Sequence, residues 1–229
     1  MKILFEITRQ KSQAEKPYVQ SVELETTDTT VARALELINA GQLSDDPVQW
    51  DCSCRQKKCG ACAMLINGRP RLACDTMLSE FPNGKVTLAP LRKFPVVRDL
   101  AVDRSVMFDA LKKLGAWLED EAGEDGTGMA YDASRCLQCG CCLEVCPNFY
   151  AGGKFFGASA LTPASRLIAQ ASKEDGKRLS NTYKAHFYNG CGKSLACRDI
   201  CPAGIDTERL LVNSNAAAVW KRSLRKNKK

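Results

Sequence analysis

The chain has 229 residues, 45% of them hydrophobic, and a formal net charge of +7. That length allows one or two cores, but no stretch approaches the roughly 18 consecutive apolar residues of a membrane-crossing helix. The opening MKILFEITRQ has only Ile3–Phe5 as an apolar run before Glu6, too short for a secretory signal, so the expected location is the cytoplasm.

In chain order, KILFEITR places Ile3, Phe5 and Ile7 on one face, and YVQSVELE repeats the alternation with Val22 and Leu24; together they read as a β-hairpin. Thr29 or Thr30 then caps a helix whose apolar positions Val31, Leu35 and Ile38 are helically spaced and which Gly41 stops. VTLAPL, residues 86–91, reads as the strand that closes this half. From Asp103, a possible cap, the period becomes helical through Met107, Leu111, Leu114 and Leu118. An acidic, glycine-rich stretch, EDEAGEDGTG, follows as a loop. TPASRLIAQA predicts a helix capped by Thr162 with Pro163 at its first position, and DTERLLVNSNAAAVW a last helix from about Asp206. The pattern is α+β, a mixed domain over 1–100 and a helical one over 101–229.

The thirteen cysteines lie among these elements. In a reducing compartment they point to metal rather than disulfides. With His186 as the single histidine, a two-histidine Rieske centre and a Cys2His2 zinc site are both excluded. Cys54, Cys59, Cys62 and Cys74 are separated by four, two and eleven residues, the plant-type [2Fe-2S] spacing, in a loop whose small residues Gly60, Ala61 and Ala63 let backbone N–H groups turn inward. Cys52 breaks that register and reads as a small buried thiol.

CLQCGCCLEVCP carries Cys136, Cys139, Cys142 and Cys146 at gaps of two, two and three, then Pro147. In such a run three cysteines hold one [4Fe-4S] cluster and the fourth ligates its neighbour. The second run is CGKSLACRDICP, with Cys191, Ser194, Cys197 and Cys201 at the same gaps. Exchange of the fourth ligands gives Cys136, Cys139, Cys142 and Cys201 to a [4Fe-4S] centre and leaves Cys191, Cys197 and Cys146 to the other. Three thiolates fit a cubane lacking one iron, [3Fe-4S]; a serine-ligated fourth iron is the alternative. Cys141 falls outside the register and reads as structural. A zinc ribbon is the competing use of such pairs, but a three-thiolate remnant does not close a tetrahedral zinc site.

The last residues, KRSLRKNKK, carry Lys221, Arg222, Arg225, Lys226, Lys228 and Lys229 without an acid. Such a tail suits either an anionic lipid surface or a solvated terminus. No aromatic-basic platform accompanies it, so no nucleic acid partner is expected.

Taken together, VQWDCSC, CGACAMLINGRPRLAC, FPVVRDLAVDRSVMFDALKKL and the two ferredoxin runs resemble the iron-sulfur subunit of succinate dehydrogenase and fumarate reductase over nearly the whole chain. The resemblance implies a β-grasp N-terminal domain and an α-helical ferredoxin domain. It further implies an electron relay between the FAD of a flavoprotein subunit and a quinone at a membrane anchor, a haem b protein in some members of that family, at the cytoplasmic face of the membrane. The dicarboxylate active site is then expected in the flavoprotein, with the [2Fe-2S] centre nearest the flavin, the [3Fe-4S] centre nearest the quinone and Pro147 as a quinone contact. Ubiquinone-reactive members often carry a tryptophan where this chain has Tyr150 and Ala151, and a histidine where it has Gly192, which points to a menaquinone partner. The competing classes are a free-standing multi-cluster ferredoxin and an iron-sulfur subunit of another flavin-linked oxidoreductase.

Overall fold

The computed structural model describes residues 1–119, 121, 123, 124 and 128–220. The basic tail from Lys221 and part of the acidic loop, both singled out in the sequence, lie outside the described residues. The chain divides into two compact units, Met1–Arg104 with Cys139–Glu144, and Ser105–Gln138 with Val145–Lys229.

In the first unit, β1 (Lys2–Arg9) and β2 (Tyr18–Glu25) pair antiparallel from Lys2 opposite Glu25 to Arg9 opposite Tyr18. The alternation buries Ile3, Phe5 and Ile7, and helix α1 (Val31–Ala40) buries Val31, Ala34, Leu35 and Ile38. Thr30 caps that helix by accepting from the Arg33 N–H, and the Gly41 N–H donates to the Leu37 carbonyl at its end.

Next come β3 (Ala63–Ile66) and β4 (Arg69–Leu72), joined through Asn67 and Gly68, whose φ values of 48° and 76° suit a two-residue hairpin of the Asn-Gly type. Strand β5 (Lys85–Ala89) runs parallel to β1 and antiparallel to β3, giving the order β2-β1-β5-β3-β4. Pro70, which can give the ladder no N–H, sits on the edge strand. Strands β6 (Val96–Arg98) and β7 (Ala101–Val102) form a small second ribbon. Beneath it Arg9 and Asp99, each 1% exposed, pair at 3.0 Å.

The second unit is helical: α2 (Ser105–Leu114) and α3 (Met129–Ser134), then α5 (Ala158–Gln170), α6 (Lys173–Tyr183), the short α7 (Ala196–Asp199) and α8 (Thr207–Asn215). Helix α4 (Cys141–Glu144) belongs to the first unit. Two sequence expectations are corrected here. Helix α2 ends at Leu114, because Gly115 takes φ 62°, so Leu118 lies beyond it rather than in its apolar stripe. Helix α5 starts at Ala158 behind Gly157, not at Thr162, and Pro163 stands inside it. Thr162 instead turns its hydroxyl back to the Ala158 carbonyl at 2.9 Å. A core of Leu114, Phe156, Leu161, Tyr183, Phe187 and Leu211 gathers the helices, with Cys191 packed on its margin.

Candidate functional site

The loop from Cys54 to Cys74 is built around its own backbone. Arg55, Lys57 and Gly60 take φ values of 55°, 57° and 74°, and this repeated left-handed turning aims successive N–H groups at sulfur. The N–H groups of Gln56, Lys58 and Cys59 donate to Cys54 Sγ at 3.4, 3.2 and 3.3 Å. Those of Lys57 and Ala61 donate to Cys74 Sγ and Cys59 Sγ at 3.3 and 3.4 Å. Cys62 and Cys74 interact through their thiols, as do Cys54 and Cys59, and the Lys57 N–H on Cys74 joins the loop to the second pair.

Electrostatics splits the four. Backbone donation from Gln56 and Lys58 pulls the Cys54 thiol down to about 7, whereas burial pushes Cys62 up to about 12. The donor set suits a sulfur cluster: thiolates ringed by N–H groups, with no carboxylate turned toward them in these bonds.

Arg104 fastens the inner side of this loop. One guanidinium nitrogen donates to the carbonyls of Ala61 and Ala63, either side of Cys62, at 3.0 and 3.1 Å, while the other pairs with Asp51 at 3.1 Å. Cys52 is half-buried rather than buried, a correction to the sequence expectation. Its partial burial raises the thiol, and the Arg55 guanidinium beside it opposes that rise.

The run from Cys136 is seen in two parts. In the first unit, Cys139 is buried and its thiol is drawn down to about 7, chiefly by a hydrogen bond from Cys141, with the Arg104 charge assisting. Cys141 is fully buried, as a structural thiol should be, and its own ionisation is driven far up by that bond. Cys142, also in α4, is half-buried. In the second unit, Cys136 and Cys201 pack against the same apolar group of Met129, Ala133, Ile205 and Leu210. Gln138 Nε2 donates to Cys136 Sγ at 3.2 Å.

Cys146, Cys191 and Cys197 line one cavity of the second unit, and Ser194 lies on the same wall. Lys193 and Leu195, on either side of Ser194, take φ values of 56° and 57°. The Cys197 thiol is raised first by burial, then by the nearby Cys146 and Cys191, and is opposed by the Thr207 hydroxyl 3.4 Å away. Pro147 is exposed at the turn after Cys146. His186 stacks on Phe156 with centroids 3.9 Å apart and holds the Lys154 carbonyl at 2.7 Å through Nδ1, a packing role. Among the described residues, no three His, Cys, Asp or Glu side chains close on a single metal ion.

Sequence reasoning missed Arg104, Gln138 and Thr207. Gln138 stood between two cysteines of a run read for its sulfurs alone, and Thr207 carried no signal beyond its place at the start of the last helix.

Comparison with known proteins places this geometry in a family. Residues 4–109 match a 2Fe-2S iron-sulfur cluster binding domain and residues 132–205 a 4Fe-4S dicluster domain. The succinate dehydrogenase iron-sulfur subunit of Bacillus subtilis is 35% identical over 221 residues, which cover 89% of this chain and 87% of that one. The fumarate reductase iron-sulfur subunit of Wolinella succinogenes is 30% identical over 212 residues, 85% of this chain and 87% of that one. A chain of the Mycobacterium smegmatis Sdh1 complex in its apo form shares the fold, with a TM-score of 0.81 at 22% identity over 94% of this chain and 96% of that one. With two iron-sulfur domains in series and relatives this similar over most of their length, the chain belongs to the family of iron-sulfur subunits of succinate dehydrogenase and fumarate reductase.

Proposed function

We propose that this subunit relays single electrons between the FAD of a flavoprotein subunit and a quinone, in an oxidoreductase complex that interconverts succinate and fumarate. In this reading Cys54, Cys59, Cys62 and Cys74 hold a [2Fe-2S] centre in a β-grasp domain over residues 1–100. Over residues 101–229, Cys136, Cys139, Cys142 and Cys201 hold a [4Fe-4S] centre, and Cys146, Cys191 and Cys197 a [3Fe-4S] centre. Three such centres in a row supply one-electron carriers between a two-electron flavin and a quinone.

The chain's own residues do the tuning. N–H donors on Cys54, Cys59 and Cys74 stabilise thiolate charge, Arg104 fixes the backbone around Cys62, and partial burial raises the Cys197 thiol. Dicarboxylate chemistry is assigned to the flavoprotein. Pro147, Tyr150 and Gly192 are assigned to the quinone side, with menaquinone as the quinone. Among the described residues no helix is long and apolar enough to cross a membrane, so attachment at the cytoplasmic face is assigned to anchor subunits.

The observation that carries this reading is the cavity in which three cysteines meet and a serine stands where the ferredoxin register calls for a fourth. Low-temperature EPR of the anaerobically purified complex tests it. A three-iron signal in the oxidised sample, with two-iron and four-iron signals after dithionite, is the expected result. An EPR-silent oxidised sample with two four-iron signals on reduction would overturn the three-iron assignment. A chain that purifies without a flavoprotein would favour a free-standing ferredoxin, and a complex that reduces only ubiquinone analogues would remove menaquinone.

A further inference from the structure

Gln138 occupies a conformation that needs a reason. Its φ is 50°, in the left-handed region that costs a residue with a side chain roughly 1–2 kcal/mol. The turn places its amide between two acceptors: Nε2 donates to Cys136 Sγ at 3.2 Å and to the Ser159 carbonyl at 2.9 Å. Only the amine end can serve both, because Oε1 in its place would set an acceptor against a sulfur and a carbonyl.

Ser159 lies in the first turn of α5 and is 2% exposed. In an unbroken helix its carbonyl would accept the N–H of the residue four places on. That residue is Pro163, which has no N–H. A buried carbonyl without a donor is costly, and Gln138 supplies the donor from outside the helix.

We propose that Pro163 and Gln138 work as a pair: the proline frees the Ser159 carbonyl, the carbonyl anchors the Gln138 amide, and the anchored amide holds an N–H on the Cys136 sulfur, raising the reduction potential of the four-iron centre. Gln138 is thus a positioning residue acting through Cys136, and the inference rests on Cys136 being a ligand of that centre. An N–H on a ligating sulfur draws charge from the thiolate and so favours the form that has taken up one more electron.

The test is an EPR-monitored redox titration of the purified complex, dithionite supplying the electron for the [4Fe-4S] 2+/1+ couple. Gln138→Met keeps the length and loses the donor. The reduction equilibrium should fall about fivefold, the worth of about 1 kcal/mol of hydrogen bond, or about 40 mV at 59 mV per tenfold. Pro163→Ala returns an N–H to the helix, which competes for the Ser159 carbonyl, and should shift the same potential in the same direction by less. The double variant should match Gln138→Met alone, and the other two centres should keep their potentials.

An unshifted four-iron potential in Gln138→Met, or additive effects of the two changes, overturns the pairing. A wild-type complex with no four-iron signal overturns it too, and locates the failure in the ligand assignment rather than in the amide.

Discussion

The loop around Cys54 and the cavity around Ser194 gather their cysteines by opposite means. In the first, one short segment of chain turns five backbone N–H groups onto the sulfurs of Cys54, Cys59 and Cys74. In the second, Cys146 comes from one segment and Cys191 and Cys197 from another, and helices packed on Phe187 and Leu211 bring them to line one cavity. Both use left-handed residues flanking the middle of the turn, Arg55 and Lys57 in one and Lys193 and Leu195 in the other. The first site is therefore specified locally, whereas the second depends on the helical core, and changes at the two should have different consequences.

The most complete break in the comparison is Ser194→Cys. A thiol at that position would join the three cysteines on the cavity wall, completing the ferredoxin register. Four thiolates favour a four-iron cubane, so the oxidised-state three-iron EPR signal should vanish and a second four-iron signal appear on reduction. If the three-iron signal persists, Ser194 does not face the open corner of that centre.

Asp99→Ala should strike the first site and spare the second. Asp99 accepts from Arg9 and from the Gln10 and Gln49 N–H groups, each at 3.0 Å, so it ties the segment before Asp51 to β1. Both carboxylate and guanidinium side chains are 2% exposed; without Asp99, Arg9 keeps its ion pair with Asp46 at 3.1 Å, but the Gln10 and Gln49 N–H groups lose their acceptor. Each N–H left without an acceptor costs about 1–3 kcal/mol, read as a lowered unfolding midpoint together with preferential loss of the two-iron signal. Equal loss of all three cluster signals would mean that the units do not differ as argued.

That contrast also explains what the sequence made legible. Spacing alone located every candidate ligand, because Cys54–Cys74 and the two runs are local patterns in which the cysteines report their own register. The hairpin of β1 and β2 and helix α1 were equally plain, since their apolar periods and the Thr30 cap are local. Strands β3 and β4 are less plain, although Asn67-Gly68 between apolar stretches is a hairpin signal, because each strand is only four residues long and lies between cysteines that dominate the local pattern. Helix α5 starts a turn earlier than the sequence suggests, since Pro163 suits a first helical position and the donor that meets the Ser159 carbonyl, Gln138, lies outside the helix. Arg104 and Thr207 act across long sequence separations, which no window along the chain displays.

Within the first loop, charge should separate two cysteines of one site. In the cluster-free chain Cys54, held down to about 7, should gain reactivity as pH rises through neutrality and then level off, while Cys62, held up to about 12, stays a protonated thiol throughout that range. Thiolate fraction favours Cys54, and the higher intrinsic nucleophilicity of Cys62 offsets only part of it, leaving a ratio of roughly 100-fold or more at pH 7. Timed iodoacetamide labelling with peptide mass mapping measures this. Comparable rates would show that the backbone donors do not hold the Cys54 thiolate.

The smallest effect concerns the second site, where burial is countered chiefly by a side chain rather than by the backbone. The Thr207 hydroxyl lies 3.4 Å from Cys197 Sγ, and Thr207 is 4% exposed at the first turn of α8. Donation from that hydroxyl would stabilise the thiolate, and burial resists the same charge, so the two oppose each other at one sulfur. Thr207→Val keeps the shape and removes the donor, while Thr207→Ser keeps the donor and removes a methyl group. A weak hydrogen bond to sulfur is worth at most about 1 kcal/mol, so the valine variant should lower the three-iron reduction equilibrium by no more than about fivefold and the serine variant should restore it. The two-iron and four-iron potentials should hold still in both. If valine and serine shift the three-iron potential alike, the contact acts through packing, and burial alone sets the charge on Cys197.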